Sequence, residues 1–193
     1  MSNKTKVNRR EEIIEMSALL FREKGFKATS TRDIAEKVGM EAASMYNHIH
    51  SKHEILETIC FRVSDRYFLE LSNIEDSDLL PLQKVQAIIR AHVKTLTLDG
   101  CYVSVANNEW RQLKDNSLIK FRETKREYEK RVAAIIQEGV EAGTIKRLNV
   151  SVILFTLLSS LRWIEYWFND RREISPDVLE ENLINILING ISE

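Results

Sequence analysis

The stretch that decides the fold runs from residue 25 to residue 52 and reads GFKATSTRDIAEKVGMEAASMYNHIHSK. Two short helices are predicted in it, one after the cap signal Ser30-Thr31-Arg32-Asp33 and one over about Ala42–Ile49. Gly39 is expected to end the first helix, because the position after a helix commonly takes a left-handed conformation that glycine tolerates. Gly39-Met40-Glu41 then has the length of the turn in a helix-turn-helix, which is the unit that this stretch predicts.

The second of these helices has an outward face without charged residues. Ala42, Met45 and Ile49 recur at helical spacing and are expected to pack inward. The outward positions carry small, hydrogen-bonding or aromatic side chains, namely Ala43, Ser44, Tyr46, Asn47 and His48. A merely solvated face usually carries charges, whereas a helix in the major groove needs close approach and polar contacts to base edges. We therefore interpret this face as a DNA-reading surface rather than as part of a generic three-helix packing unit.

Four residues of this helix are suited to contacts with bases. Asn47 suits adenine, and Ser44 suits either kind of base. Ala42 or Ala43 can pack on the methyl group of thymine. The sequence-reading contacts are therefore expected from these positions.

Five further residues are suited to the DNA backbone. Tyr46 and His48 are better placed for phosphates, which fix the register without reading the sequence. Thr31, Arg32 and Lys52 stand at predicted helix starts, where backbone N–H groups favour phosphate. These side chains are expected to position the protein on DNA.

The two runs Gly25–Ala35 and Gly39–Lys52 closely resemble the signature of the TetR family. The resemblance implies an all-α fold, with an N-terminal three-helix helix-turn-helix domain and a C-terminal helical effector and dimerisation domain. It implies a repressor that binds a palindromic operator as a dimer and is released by a small effector. The DNA contacts that it implies come from Thr31, Arg32, Ala42, Ser44, Tyr46, Asn47, His48 and Lys52. Glu41 departs from the pattern, since many members have a capping Ser or Thr there, and the sequence assigns it no role.

Helical periodicity dominates the rest of the chain, and start and stop signals divide it into about nine helices. Pro81 is expected to begin a helix that ends near Asp99-Gly100, and residues 101–113 to form a separate short one. Composition and helix length change near residue 53. We therefore predict a DNA-binding domain over 1–53 and an effector and dimerisation domain over 54–193.

Charge is distributed unevenly between these two parts. Residues 1–53 carry ten Lys and Arg against seven Asp and Glu, whereas residues 54–193 carry eighteen against twenty-two. The first ten residues hold four basic side chains and no acid, Lys4, Lys6, Arg9 and Arg10. A basic N-terminal part followed by an acidic C-terminal part is expected where one end of a protein binds phosphate groups.

Other classes of function find little support. The chain has no glycine-rich nucleotide motif and no H-E-x-x-H, so we expect neither an enzyme nor a bound cofactor. His48, His50 and His53 are poorly spaced for a metal site. A helical adaptor that does not bind DNA explains the long helices, but it explains neither the basic N-terminal part nor the uncharged face.

Cysteine usage and hydropathy indicate a cytoplasmic protein. Cys60 and Cys101 form no C-x-x-C pair, as expected in a reducing compartment. The N-terminus lacks the apolar run of a signal peptide. The longest apolar stretch, Val150–Leu161, is too short to span a bilayer, so no membrane partner is expected.

An effector pocket is suggested by polar or aromatic residues within the apolar stripes of the C-terminal part. A mostly apolar cavity with a few orienting polar groups is typical of small-molecule sites. The candidates are His92, Asn107, Trp110, Arg111, Tyr128, Arg162, Trp163 and Tyr166. Each also has an ordinary interpretation, as a hydrogen-bonded core histidine, a core aromatic, or an arginine paired with Glu109 or Glu165.

Two short segments bear on the effector's chemistry. Asn108–Leu113 and Glu138–Gly143 look like the bodies of TetR regulators that sense acyl-CoA thioesters. The effector expected from this resemblance is a fatty or related acyl-CoA. The alternative is a hydrophobic drug-like compound, as in an efflux-type sensor of the same family.

The last two helices are expected to form the dimer interface. The segment from Val150 to Phe168 is apolar nearly all round, so it must be buried on several sides. The resemblance implies that the last two helices pair with their copies in a four-helix interface. Leu157 and Leu183 are expected at that seam.

Overall fold

The computed structural model describes residues 8–170 and 174–192, and within these ranges the chain is helical and contains no strand. Lys4 and Lys6 of the predicted basic terminus lie outside the described residues. The α-helices are α1 Arg9–Lys24, α2 Thr31–Val38, α3 Ala42–Met45, α4 Lys52–Glu75, α5 Pro81–Glu109, α6 Asp115–Glu141, α7 Val150–Asp170 and α8 Pro176–Asn189. A short 3₁₀ turn, Trp110–Gln112, follows α5. The predicted all-α fold is confirmed.

The first compact unit comprises the chain up to Val63 together with Cys101–Phe121. Its helices bury apolar stripes, because residues at helical spacing share one face. Members that are almost fully buried include Ile13, Ile14, Phe21, Ile34, Met45, Ile49, Ile55, Leu56 and Ile59. Burying one such side chain contributes about 1.5–3 kcal/mol, so this core holds the short helices α2 and α3 in place.

The second compact unit comprises Ser64–Gly100 and the chain from Arg122 onward. Its core is again aliphatic and includes Val85, Ile88, Ile89, Val93, Val132, Ile136, Ile145, Ile153 and Leu157. Gly139 permits a close approach here, because a Cβ atom on it would lie 2.5 Å from the side chain of Ile145. Leu157, which we expected at the dimer seam, is only 3% exposed and belongs to this core.

Helix α5 corrects one sequence prediction. We expected two separate helices over 81–100 and 101–113, whereas a single kinked helix runs from Pro81 to Glu109. The kink lies at Asp99, which has non-helical angles of φ −131° and ψ 34°. Gly100 does not take the left-handed conformation that would end a helix. The predicted nine helices are reached only when the two sides of this kink are counted separately.

The division at residue 53 stays a prediction. Helix α4 continues through that position to Glu75, and the first compact unit also includes Cys101–Phe121. Aromatic packing accounts for part of this grouping, because the ring of Phe121 lies edge-on to Phe61 at 5.5 Å and tilted against Trp110 at 6.0 Å. These contacts join positions far apart in sequence, which periodicity alone does not reveal.

Candidate nucleic-acid interface and effector site

The start and end of α2 form as the sequence predicts. Ser30 caps the helix: its hydroxyl accepts a hydrogen bond from the Asp33 amide at 3.1 Å, and its own amide donates to the Asp33 carboxylate at 2.7 Å. Bonds from the Ser30 hydroxyl and amide lower the pKa of the Asp33 carboxyl below its usual value. Gly39 then ends α2 in the left-handed conformation, with φ 74° and ψ 41°. The local chemistry thus fixes both boundaries of the helix before the turn.

The candidate recognition helix α3 is shorter than predicted. Its helical span ends at Met45, whereas we expected about Ile49. Beyond Met45 the backbone forms the tighter turn in which residues three apart are bonded. The Asn47 amide donates to the Ser44 carbonyl at 3.2 Å, and the His48 amide donates to the Met45 carbonyl at 2.9 Å. The Ile49 amide then bonds to the Met45 carbonyl at 3.1 Å. The segment therefore keeps a helix-like turn as far as Ile49.

The division of this segment into a buried and an exposed side is as predicted. Met45 and Ile49 are buried, at 1% and 0% exposure, and Ala42 is half-buried. The exposed side chains are Ala43, Ser44, Tyr46, Asn47 and His48. The uncharged reading face thus stands free of the packed core.

Tyr46 and Thr31 lie together beside this reading face. The Tyr46 hydroxyl donates to the Thr31 hydroxyl oxygen at 3.4 Å, and Tyr46 is 50% exposed. Arg32, the next residue of α2, is also exposed. Their predicted phosphate contacts need such accessible donors.

Glu41, before α3, is exposed and its side chain makes no capping hydrogen bond. The absent cap agrees with the sequence, since Glu caps poorly. The geometry gives this carboxylate no further role.

Lys52 contacts the protein itself at the position where a phosphate contact was predicted. Its ammonium donates to the Phe26 and Thr29 carbonyls, both at 2.6 Å, and lies 4.3 Å from the centre of the Phe26 ring. Burial lowers the pKa of this ammonium below its ordinary value. A lysine ammonium has three donors, so two are taken and the phosphate contact stays a prediction.

A polar aromatic cluster lies in the second unit. His92 Nε2 is 2.8 Å from the Tyr128 hydroxyl, and the His92 ring stacks on Tyr67 at 4.3 Å. The Tyr128 ring also lies edge-on to Phe68 at 5.7 Å. His92 and Tyr128 were both predicted site residues. Tyr67 was missed because it falls within the apolar stripe of α4, and its hydroxyl was the only signal against a purely core role.

The groups of this cluster are uncharged at neutral pH. Burial lowers the pKa of His92 to about 4. Burial also raises the pKa of Tyr128 and Tyr67, and for Tyr67 the charge of Glu165 acts in the same direction. Glu165 is itself only 3% exposed. The cluster therefore offers neutral hydrogen-bonding groups in an apolar setting, with one buried carboxylate whose charge acts on Tyr67.

The remaining predicted effector residues fall into two other groups. Asn107, Trp110 and Arg111 belong to the first unit, where the Arg111 guanidinium lies 4.9 Å from the centre of the buried Trp110 ring. Arg162, Trp163 and Tyr166 are exposed on α7. The structure therefore brings together only His92 and Tyr128 of the predicted set in one buried polar cluster.

An exposed apolar face lies on α7 and α8. Its large members are between 44% and 72% exposed: Val152, Phe155, Trp163, Trp167, Val178 and Ile186. Tyr166 lies beside Trp163, with ring centres 5.3 Å apart. Large apolar side chains exposed in this number are typical of a protein interface or a binding site.

Neither a membrane-spanning helix nor a metal-binding cluster occurs among the described residues. In residues 8–170 and 174–192 no helix is long and apolar enough to cross a membrane. The same ranges hold no group of three His, Cys, Asp or Glu side chains arranged to bind a metal ion.

Two family models match this chain. Residues 13–59 match the model described as bacterial regulatory proteins of the tetR family. Residues 78–191 match the tetracyclin repressor-like C-terminal domain, which covers more than half of the chain. The chain belongs to the TetR family of transcription regulators, which bind DNA through a helix-turn-helix.

Individual relatives share this architecture over nearly their whole length. The repressor KstR2 of Mycolicibacterium smegmatis is 27% identical over 189 residues, which cover 96% of this chain and 92% of the relative. The structure of the ketosteroid transcriptional regulator KstR2 of Mycobacterium tuberculosis is 23% identical, with a TM-score of 0.91 and coverage of 97% and 96%. The structure of AibR in complex with isovaleryl coenzyme A and operator DNA is 22% identical, with a TM-score of 0.83 and coverage of 93% and 98%.

The low pKa of His92 makes stability depend on pH. His92 binds a proton near pH 4 in the folded protein but near pH 6.5 when unfolded, so the unfolded chain holds more protons between these values. The free energy of unfolding should therefore fall as the pH is lowered from about 6.5 toward 4, by at most about 3 kcal/mol from this residue. Urea unfolding over this range measures the effect.

The comparison is made with His92→Gln, which keeps a hydrogen-bonding group but does not titrate. The variant should lose this part of the pH dependence, and His50→Gln, at an exposed position, serves as the matched control. Parallel pH profiles for wild type and His92→Gln would show that burial of His92 is not what makes stability pH-dependent.

Proposed function

We propose that this chain is a ligand-responsive repressor that binds a palindromic operator as a homodimer. The observation that carries the proposal is the exposed, uncharged face that follows the turn at Gly39, with Ser44 and Asn47 accessible and Met45 buried beneath them. Small polar groups on such a face can reach base edges, whereas a face that only meets solvent has no need to exclude charge. A helical adaptor without DNA binding leaves this face unexplained.

The proposed contacts divide into reading and positioning groups. Asn47 and Ser44 would read bases, and Ala42 or the more exposed Ala43 would pack on a thymine methyl group. Phosphates would be bound by Thr31, Arg32, Tyr46 and His48. A single α3 reads too few base pairs to specify one genomic site, which is the reason to propose two copies on a two-fold symmetric site.

The exposed apolar face on α7 and α8 supports the dimer. Phe155 and Ile186 are each 72% exposed, and Trp163 is 66% exposed. Leaving such side chains in water costs roughly 25 cal/mol per Å² of apolar surface, and pairing with a second copy would remove this cost. Phe155 and Ile186 therefore replace Leu157 as the proposed seam positions.

The effector is proposed to bind in the second unit near the cluster of Tyr67, His92 and Tyr128. The apolar side chains suit the apolar part of a ligand, and the neutral hydrogen-bonding groups suit a polar group on the same ligand. We propose an acyl-CoA as the effector, and the isovaleryl coenzyme A bound by the related AibR supports this class. A hydrophobic drug-like compound is the second candidate, because apolar and aromatic side chains surround the cluster.

Selection from a random duplex pool tests the DNA-binding proposal. Wild-type protein should select a palindrome, and Asn47→Ala should relax the preference at one base pair of each half-site by about 1–3 kcal/mol if the contact is bidentate. His48→Ala, the matched control at a proposed phosphate contact, should weaken binding to all sequences alike. An unchanged site logo for Asn47→Ala would remove Asn47 from the base-reading set.

Sedimentation of charge variants tests the seam. Phe155→Arg and Ile186→Arg would place an unpaired charge in the interface and should give monomers that no longer bind the palindrome. Leu98→Arg is the matched control, since Leu98 is 64% exposed but lies on α5. Variants that stay dimeric at micromolar concentration, with helicity unchanged by circular dichroism, would place the seam elsewhere.

A thermal-shift screen of acyl-CoAs, free fatty acids and hydrophobic cations tests the effector class. An acyl-CoA should stabilise the protein and release DNA, and DNA should weaken its binding by the same factor. His92→Gln and Tyr128→Phe should weaken the hit about tenfold, whereas Tyr102→Phe in the first unit should not. Stabilisation by cations alone would reject the acyl-CoA and favour the drug-sensor alternative.

A further inference from the structure

In the loop between α1 and α2, hydrogen bonds from two side chains hold the backbone of one residue, Phe26. The backbone amide of Phe26 donates to Glu109 Oε1 at 3.1 Å, and the backbone carbonyl of Phe26 accepts from the Lys52 ammonium at 2.6 Å. Neither contact could be expected from the sequence, because Glu109 is 83 residues away from Phe26. We name the pair Glu109 and Lys52 the Phe26 clamp.

The clamp closes tightly around the loop. Gly25 has φ 83°, and a Cβ atom on it would lie 3.3 Å from Glu109 Oε1. Lys52 also binds the Thr29 carbonyl, and the Thr29 hydroxyl donates to the Gly25 carbonyl at 2.9 Å. The positive φ favours glycine at this position. Lys52 and the Thr29 hydroxyl tie the beginning and the end of the loop together.

The charges of the clamp suit its backbone partners. A carboxylate accepts from the amide and an ammonium donates to the carbonyl, and hydrogen bonds with one charged partner are stronger than neutral ones. Burial lowers the pKa of Lys52, and the charges of Asp33 and then Glu109 act in the opposite direction by favouring its charged form. The two side chains therefore reinforce each other across the loop.

The position of the loop sets the position of the reading face. Ser30, which caps α2, follows Thr29 directly, so a shift of the loop moves the start of α2. Thr31, the next residue, bonds to Tyr46 at the end of α3. A loop that is fixed at Phe26 thus holds α2, and through it α3, against the core of the first unit.

The helices that end in the clamp also carry the polar aromatic cluster. Lys52 begins α4, which carries Tyr67, and Glu109 ends α5, which carries His92. Tyr67 and His92 stack on each other, and Arg66 of α4 pairs with Asp99 at the α5 kink. Helices α4 and α5 therefore each carry one arm of the clamp and one ring of the cluster.

We propose that Glu109 and Lys52 are positioning residues that hold the helix-turn-helix in its DNA-binding arrangement through the backbone of Phe26. This inference rests on the proposed DNA-binding function, and it assigns Lys52 a positioning role in place of a phosphate contact.

The test uses Glu109→Ala, Glu109→Gln and Lys52→Met, with Glu57→Ala, at an exposed glutamate of α4, as the matched control. Hydrogen exchange of the Phe26 amide is measured on the full chain without DNA. Affinity is measured at several salt concentrations for a duplex that the wild type selects from a random pool. Circular dichroism confirms that each variant is folded.

Glu109→Ala should speed exchange of the Phe26 amide about tenfold and weaken DNA binding by a similar factor, since a charge-assisted hydrogen bond is lost. Glu109→Gln retains an acceptor oxygen and should stay near wild type. Lys52→Met should weaken DNA binding without changing the salt slope, whereas loss of a phosphate contact would lower the slope by about 0.9.

Two results would overturn the proposed role of the Phe26 clamp. One is Glu109→Ala with wild-type Phe26 exchange and wild-type DNA affinity. The other is Lys52→Met with a flattened salt slope, which would return Lys52 to the phosphate contacts. If the wild type selects no duplex, the proposed function fails, while the exchange measurement still decides whether Glu109 holds the loop.

Discussion

The burial of Met45 and Ile49 is the interaction on which the reading face depends. Helix α3 spans four residues, and a helix that short does not form by itself, since nucleation is unfavourable and few hydrogen bonds follow it. Its shape must therefore come from packing, and both side chains are almost completely buried. Because Met45 and Ile49 point inward, the helical geometry places Ser44 and Asn47 on the outward side.

This constraint explains why the local part of the fold was predictable. Ser30, Asp33 and Gly39 act on their own neighbours in sequence, and their cap and turn geometry formed as expected. The spacing of Met45 and Ile49 alone determined which side of the segment is exposed. The length of α3 was overestimated, because the pattern of apolar residues is the same for a helix and for the tighter turn over residues 46–49.

Contacts between distant parts of the chain were not predictable in the same way. The sequence predicts a phosphate contact for Lys52 and only an arginine partner for Glu109, and the fold brings both side chains to Phe26. The kink at Asp99 was not predicted either. Asp99-Gly100 resembles a helix end in the sequence, but the helix continues to Glu109. A residue that interrupts a helix and one that ends it carry the same local signal.

The predicted effector residues illustrate a related limit. A polar side chain in an apolar stripe is consistent with a ligand site, with a satisfied core group or with an interface, and the sequence does not separate these cases. His92, Trp110 and Trp163 came from the same reasoning, yet one lies in a polar cluster, one in the first unit's core and one on an exposed face. What separates them is whether the side chain meets polar partners, apolar partners or solvent, and that depends on tertiary packing.

The charge of the first unit is also shaped by packing. Arg10 bonds to Glu54 at 3.0 Å, and the guanidinium of Arg62 pairs with Glu11. Both arginines are thus engaged within the protein, and so is Lys52, whereas Arg32 stays exposed beside the reading face. A count of basic residues therefore overstates the charge that the first unit can offer to phosphate. The exposed hydrogen-bond donors of Tyr46 and His48 are therefore more important in the proposed interface, because polar side chains as well as lysine and arginine can contact phosphates.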